Sequence, residues 1–227
     1  MEKLFNLIFP EKCLFCGHYA KGSFCFRCLA RCQKIQYGHC VVCEGLSIDG
    51  RTHAQCLKKG VPVKLFSCFE HDGVVRECIA KAKYGAREFA ALKRLTLEGM
   101  VWAKKTGQKF DGCVAVPIPL SCEKLNYRGF NQSEVIAKVL AEEFGLKVET
   151  NLLLRVKNTE TQHRFGKKER RENVKGAFST GEVNSVPDKV LLVDDVCTTG
   201  STLLEAAKIL YQAGVKEILC FTLARRL

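Results

Sequence analysis

Residues 189–203 read KVLLVDDVCTTGSTL, and the rest of the chain can be placed around them. Val190, Leu191, Leu192 and Val193 make a short run of the kind that fills a strand buried on both faces, and the run ends at Asp194 and Asp195. The two carboxylates are therefore expected at the carboxyl end of a strand. Thr198, Thr199, Gly200, Ser201 and Thr202 follow, and from Thr202 to Gln212 apolar residues recur with helical spacing. A tight, hydroxyl-rich turn that opens a helix gathers backbone N–H groups and side-chain hydroxyls into one cup, which suits a phosphate dianion.

Two adjacent acids ahead of such a cup would repel a phosphate unless they face something else. A ribose diol, with or without a divalent metal, gives them a partner. In this combination the stretch resembles the signature by which type I phosphoribosyltransferases bind 5-phosphoribosyl 1-pyrophosphate (PRPP): a hydrophobic strand, two acids, then T-T-G-S-T. Helix capping alone would explain the hydroxyls but not the paired acids.

At 227 residues and 47% hydrophobic content, the chain can bury one large domain, or a medium domain with a small appendage. The formal net charge of +12, from 36 basic and 24 acidic residues, favours anionic partners such as phosphates or nucleic acid. The excess is spread out: residues 1–60 carry nine basic and four acidic side chains, and no Lys/Arg block marks a dedicated nucleic-acid module. The amino terminus lacks the apolar core and small-residue cleavage site of a signal peptide, and no apolar run approaches the ~20 residues of a membrane span. The expectation is a cytoplasmic protein without membrane insertion.

Of fourteen cysteines, seven lie before residue 60 in CxxC-type pairs, a metal-binding pattern and not a disulfide framework. The knuckles are Cys13 with Cys16, Cys25 with Cys28, Cys40 with Cys43, and His53 with Cys56. Two intervening residues let a turn aim both side chains at one tetrahedral metal, so the four pairs suffice for two structural zinc ions. Pairing neighbours gives one all-cysteine site and one site of three cysteines and His53. Alternate pairing gives a cross-brace, Cys32 could stand in for His53, and spacing leaves these open. With little core of its own, a zinc domain over residues 1–60 would draw its folding free energy from the metal. A second domain, 61–227, would follow a joint at Gly60, Val61 and Pro62.

In that second domain residues 64–70 (KLFSCFE) read as a strand, 74–84 as a helix ending at Gly85, and 88–104 as a second helix. Residues 112–119 (GCVAVPIP) are the next buried strand. The segment 120–133 is read as a constrained turn with Lys124 and Arg128, at the carboxyl end of a parallel strand, where anions bind in α/β sheets. A helix spans 131–144 and stops at Gly145, 152–156 is a further strand, and 157–173 is a solvated loop, a short charged helix or a mobile flap over a pocket. Residues 217–223 (EILCFTL) close the chain as a last buried strand. The alternation predicts an α/β fold, a parallel sheet flanked by helices. No G-x-G-x-x-G, G-x-x-x-x-G-K-[ST] or H-E-x-x-H occurs, which removes support for dinucleotide-binding, P-loop and zinc-protease readings.

With these motifs in order, nearly the whole chain resembles the ComF (competence protein F-like) family, an N-terminal Cys-rich zinc domain joined to a type I phosphoribosyltransferase domain. The matching stretches are the knuckles, IAKAKYG at 79–85, VPIP and YRGFNQSE within 116–134, TQHRFGKKERRENVKGAF at 161–178, and VLLVDDVCTTGSTL. The resemblance implies that Asp194 and Asp195 hold the PRPP ribose hydroxyls with magnesium, and that Thr198, Thr199, Gly200, Ser201 and Thr202 take the 5-phosphate. It implies further that Lys83, the turn Pro117, Ile118 and Pro119, and Arg128 face the pyrophosphate, with Arg164 in a flexible loop.

Purine-salvage members of the wider fold carry a third acid where this chain has Thr198, which argues against hypoxanthine or guanine as the acceptor. The family is associated with natural transformation, its members handling incoming single-stranded DNA in the cytoplasm with a helicase partner. A metabolic transferase with a small acceptor and a non-catalytic zinc-linked adaptor are the alternative expectations.

Overall fold

The computed structural model describes residues 12–20, 23–82, 86–157 and 167–227. A five-stranded sheet is built from β3 (Lys64–Glu70), β4 (Val114–Pro117), β5 (Lys147–Val148), β8 (Lys189–Cys197) and β9 (Glu217–Arg225). The spatial order is β3-β9-β8-β4-β5 and every pairing is parallel. Successive residues of β8 serve opposite faces, as the two-residue strand period requires. Leu191 and Val193 join one core, Val190 and Leu192 the other.

Parallel sheets need cover on both faces because their crossovers carry helices. On one face lie α2 (Gly73–Lys81), α3 (Ala86–Lys105) and α5 (Gln132–Phe144), which bring Ile79, Leu92, Leu95, Ile136 and Leu140 against the strands. On the other, α7 (Ser201–Gln212) supplies Leu203, Ala206 and Leu210. Beside it an antiparallel ribbon of β6 (Leu153–Arg155) and β7 (Phe178–Thr180) adds Leu153 and Phe178.

The Cys-rich segment packs along the sheet. It carries α1 (Phe26–Ala30), the ribbon β1 (Gly38–His39) with β2 (Leu46–Ser47), and a 3₁₀ turn at Ile48–Gly50. Antiparallel bridges from Lys34 to Phe69 and from Arg51 to Lys64 occupy the outer edge of β3, which would otherwise offer unpaired backbone groups. Gly50 has φ +74, and a Cβ there would stand 2.0 Å from the Leu65 carbonyl oxygen. Farther along, the knuckle residue Val41 is fully buried in the core that α7 shares with the sheet.

Two local expectations change and two are sharpened. The strand 190–193 does not stop at the acids: β8 runs on to Cys197, because Val196 and Cys197 still pair with Ala224 and Arg225. The turn expected over 120–133 contains a helix, α4 (Cys122–Arg128), whose N-cap Ser121 accepts the Lys124 N–H. The strand near 152–156 is β6, which joins the side ribbon and not the main sheet. Within 157–173 a charged helix forms, α6 (Lys167–Val174). The end of the 74–84 helix at Gly85, and residues 158–166 of the expected loop, lie outside the described residues. Among the described residues no helix is long and apolar enough to cross a membrane.

Replacing Gly50 by alanine forces a Cβ onto the Leu65 carbonyl in a left-handed conformation. The expected cost is about 2 kcal/mol or more in urea unfolding of the zinc-loaded protein. A variant as stable as the parent would refute the close approach.

Candidate functional site

β4 connects through α5 to β5 on one side, whereas its neighbour β8 connects through α7 to β9 on the other. Adjacent parallel strands whose crossovers diverge leave a crevice at their carboxyl ends, the usual place for a ligand in an open α/β sheet. Pro117, Ile118 and Pro119 leave β4 into this crevice, and Asp194 and Asp195 follow Val193, the β8 partner of Pro117, at its rim. The Ile118 N–H donates to the Val193 carbonyl at 2.8 Å, which ties the turn to the strand just before the acids.

The start of α5 completes the arrangement. Its N-cap Asn131 accepts the Ser133 N–H at 3.1 Å and donates from Nδ2 to the Ile118 carbonyl at 2.9 Å. The Ser133 hydroxyl donates to Asp194 Oδ1 at 2.9 Å, and the Asp195 N–H donates to the same oxygen at 2.9 Å. Asn131, Gln132 and Ser133 are all buried, an unusual run of polar residues for a helix start unless it serves a site. Arg128, at the end of α4, donates to Gln132 Oε1 at 3.2 Å, while Gln132 Nε2 is buried with no partner.

Burial of its carboxyl, then the charge of Asp195, pushes Asp194 up to about 7, although the Ser133 and backbone bonds and the Arg155 charge oppose the shift. Burial also lowers Arg155, partly offset by Asp194. Arg155 reaches this region from β6 and packs over the Phe178 ring, its guanidinium carbon 5.5 Å from the centroid.

The hydroxyl-rich turn follows directly. Gly200 is the left-handed N-cap of α7 with φ +69, and no side chain caps the helix. The first-turn N–H groups thus keep the free valence that anions use. Thr199 and Ser201, both buried, bond each other hydroxyl to hydroxyl at 2.7 Å, while Thr198 and Thr202 are half-buried. Where Gly200 lacks a side chain, the Val41 carbonyl closes in: a Cβ would stand 2.5 Å from its oxygen. The structure thus brings Asp194, Asp195, the 117–119 turn and the 198–202 turn to neighbouring strand ends, with Arg128 linked to them through Gln132. Lys83 and Arg164 lie outside the described residues.

Ser133, Asn131 and Arg155 were not singled out from the sequence. Asn-Gln-Ser before an apolar helical run is a capping signal, but that its serine would meet Asp194 depends on strand order.

Two ligand sets stand in the Cys-rich segment. The ligand atoms of Cys13, Cys16, Cys25 and Cys28 lie within 4.8 Å of one another, as do those of Cys40, Cys43, His53 and Cys56. Neighbouring knuckles therefore pair, the cross-brace is not formed, and His53, not Cys32, completes the second set. His53 Nδ1 lies 3.2 Å from Cys43 Sγ, and its Nε2–H meets the Leu46 carbonyl at 2.9 Å, the outer contact that fixes a ligating imidazole. Burial tends to raise the Cys13 and Cys40 thiols, but N–H donors, from Cys25 and Cys43 first, bring them down to about 6 and about 7. Four thiols in one set, and three thiols with the His53 imidazole in the other, fit zinc, and with four protein ligands each such site would be structural.

Two measurements follow from this geometry. Zinc analysis of protein purified without chelator is expected to find two ions per chain, and Cys40→Ser one. A single ion in the parent would remove one of the sets. Because burial raises Asp194, the folded chain retains a proton that the unfolded chain loses from about pH 4, so stability falls as pH climbs from there through about 7. Asp194→Asn should raise the melting temperature by a few degrees at pH 8 and by much less at pH 5. Equal effects at both pH values would contradict the raised carboxyl.

A family model described as phosphoribosyl transferase domain matches residues 131–227, which include α5, the acid pair and the hydroxyl turn. Competence protein F of Haemophilus influenzae is 32% identical over 226 residues, covering 96% of this chain and 98% of that protein. DNA utilization protein YhgH of Salmonella typhimurium is 32% identical over 76% of this chain and 77% of its own length. Competence protein ComFC of Streptococcus pneumoniae is 26% identical over 94% of this chain and all of that protein. With its zinc-type cysteine sets, its parallel sheet and near end-to-end similarity to competence protein F, the chain belongs to the ComF family.

Proposed function

We propose that the chain binds PRPP in the β4–β8 crevice and acts in competence-type DNA uptake, handling single-stranded DNA in the cytoplasm. The observation that carries the PRPP reading is the juxtaposition of a half-buried, hydrogen-bonded carboxylate with an uncapped helix start: Asp194 held by Ser133, six residues ahead of Gly200. In this reading Asp194 and Asp195 receive the ribose hydroxyls, and residues 198–202 receive the 5-phosphate. The turn at Pro117, Ile118 and Pro119, together with Arg128 and Lys83, faces the pyrophosphate, and Arg164 belongs to a loop that covers the ligand.

Magnesium, when bound with PRPP, would supply countercharge to the pyrophosphate. The chain's own groups would position the anomeric carbon and hold charge: the acids fix the ribose and Arg128 draws charge from the leaving group. If transfer occurs, a nucleophile forms a bond to the anomeric carbon as the carbon–oxygen bond to pyrophosphate breaks and its electrons leave with pyrophosphate. Residues 1–60 are read as the zinc unit and 61–227 as the PRPP-binding domain. The DNA role is supported by relatives named competence protein F, ComFC and DNA utilization protein, and the net charge of +12 is compatible with it. A helicase partner belongs to the same reading.

Calorimetric titration of PRPP with magnesium into zinc-loaded protein is expected to give saturable binding, lost in Asp194→Asn/Asp195→Asn and weaker for ribose 5-phosphate or pyrophosphate alone. Since the site needs Asp194 ionised, the association constant should rise nearly tenfold per pH unit below about 7 and level above it. Absence of binding by folded protein, or binding indifferent to the acid pair, would refute the site.

A further inference from the structure

The two zinc-type ligand sets sit against different parts of the molecule. Cys13 and Cys28 of the first set lie in the core that α2, α3 and α5 share with the sheet, together with Phe24 and Cys32. The second set meets the opposite core. Val41, between Cys40 and Cys43, is packed there with Cys197 and Leu203, which flank the hydroxyl turn on either side. No residue of the first set belongs to that second core.

The contact between knuckle and turn involves backbone as well as side chain. A Cβ built on Gly200 would stand 2.5 Å from the Val41 carbonyl oxygen and 3.2 Å from Val41 Cγ2. The Gly200 N–H donates to the Cys197 thiol, so this one residue is fixed by β8 on one side and by a zinc knuckle on the other. Glu44, which follows Cys43, is close enough for its charge to act on the same thiol.

The knuckle has few means of keeping its own shape. Two backbone bonds close it, from the Cys40 N–H to the Gly45 carbonyl at 2.9 Å and from the Glu44 N–H to the Cys40 carbonyl at 3.0 Å. Glu44 has a left-handed φ of 65, which residues other than glycine seldom adopt, and Cys43, Gly45 and Leu46 are exposed. What joins Cys40 and Cys43 to His53 and Cys56 in a set of this kind is the metal, and its binding supplies the missing restraint.

We propose that the second zinc knuckle is a working part of the ligand site: with metal on Cys40, Cys43, His53 and Cys56, Val41 positions the 198–202 turn for an anion, so that metal and anion bind with linked affinities. A turn fixed in advance loses less entropy when the anion arrives. Linkage is reciprocal, and the anion strengthens metal binding by the factor by which the metal strengthens anion binding. The first set takes no part in this. The anion half of the inference rests on the PRPP reading above, whereas the hold of the knuckle on the turn does not.

Hydrogen exchange of the 199–204 amides, read relative to those of 190–193 in the same zinc-loaded full chain, tests that hold without any ligand. Cys43→Ser should raise the ratio at least about fivefold, the lower end of usual coupling. Cys16→Ser, at the first set, should leave it unchanged, and His53→Cys, which keeps four ligands, should match the parent. If Cys43→Ser fails to fold, His53→Ala, a milder loss at the same set, takes its place. With PRPP and magnesium present, a zinc-selective chelator should draw one of the two ions from the parent at least about fivefold less readily, and this is the ion that Cys16→Ser retains. An exchange ratio in Cys43→Ser equal to that of the parent, or raised as much by Cys16→Ser, would overturn the proposal. PRPP that binds the parent yet protects neither ion would overturn the linkage. If the ratio shifts as expected but PRPP does not bind, the PRPP reading falls and the hold of the knuckle on the turn stands.

Discussion

The parallel seating of β8 between β4 and β9 is the constraint on which the rest of the molecule depends. It buries Val190 through Val193 on both faces and requires helices on each side. By sending the β4 and β8 crossovers apart, it also opens the crevice in which a carboxylate can be held. Asp194 is then costly as a charge, and the structure meets that cost with the Ser133 hydroxyl, the Asp195 N–H and the nearby Arg155. Site and fold are thus one arrangement: the strand that makes the core also delivers the acids.

The Cys-rich segment is joined to this sheet by more than a linker. It pairs with the outer edge of β3, contributes Cys13, Phe24, Cys28 and Cys32 to one core and Val41 to the other, and presses a carbonyl against Gly200. Metal binding at Cys40, Cys43, His53 and Cys56 would therefore brace the knuckle that lies on the hydroxyl turn.

Much of the fold was legible because its signals are local. The run 64–70 became β3 with the expected bounds, Gly145 ended α5, and the knuckles chose their neighbours, since two-residue spacing and short connections favour nearby partners. Local signals also misled in places. The acids looked like a strand end because charge seldom continues a buried strand, yet β9 runs on as a partner through Arg225 and carries β8 to Cys197. Residues 120–133 looked like a turn because Pro117 and Pro119 precede them and Gly129 lies within, but Ser121 caps a short helix there.

By itself, the sequence determined the α/β class, the acid pair followed by a hydroxyl-bearing helix start, and the four zinc-type knuckles, all carried by residues a few positions apart, while the pairing of the knuckles waited on the structure. Only the tertiary structure decided that Ser133 would hold Asp194 from 61 positions away and that Val41 would close on Gly200. These contacts follow from strand order and crossover direction, which arise when distant apolar faces are buried together and which no local pattern encodes.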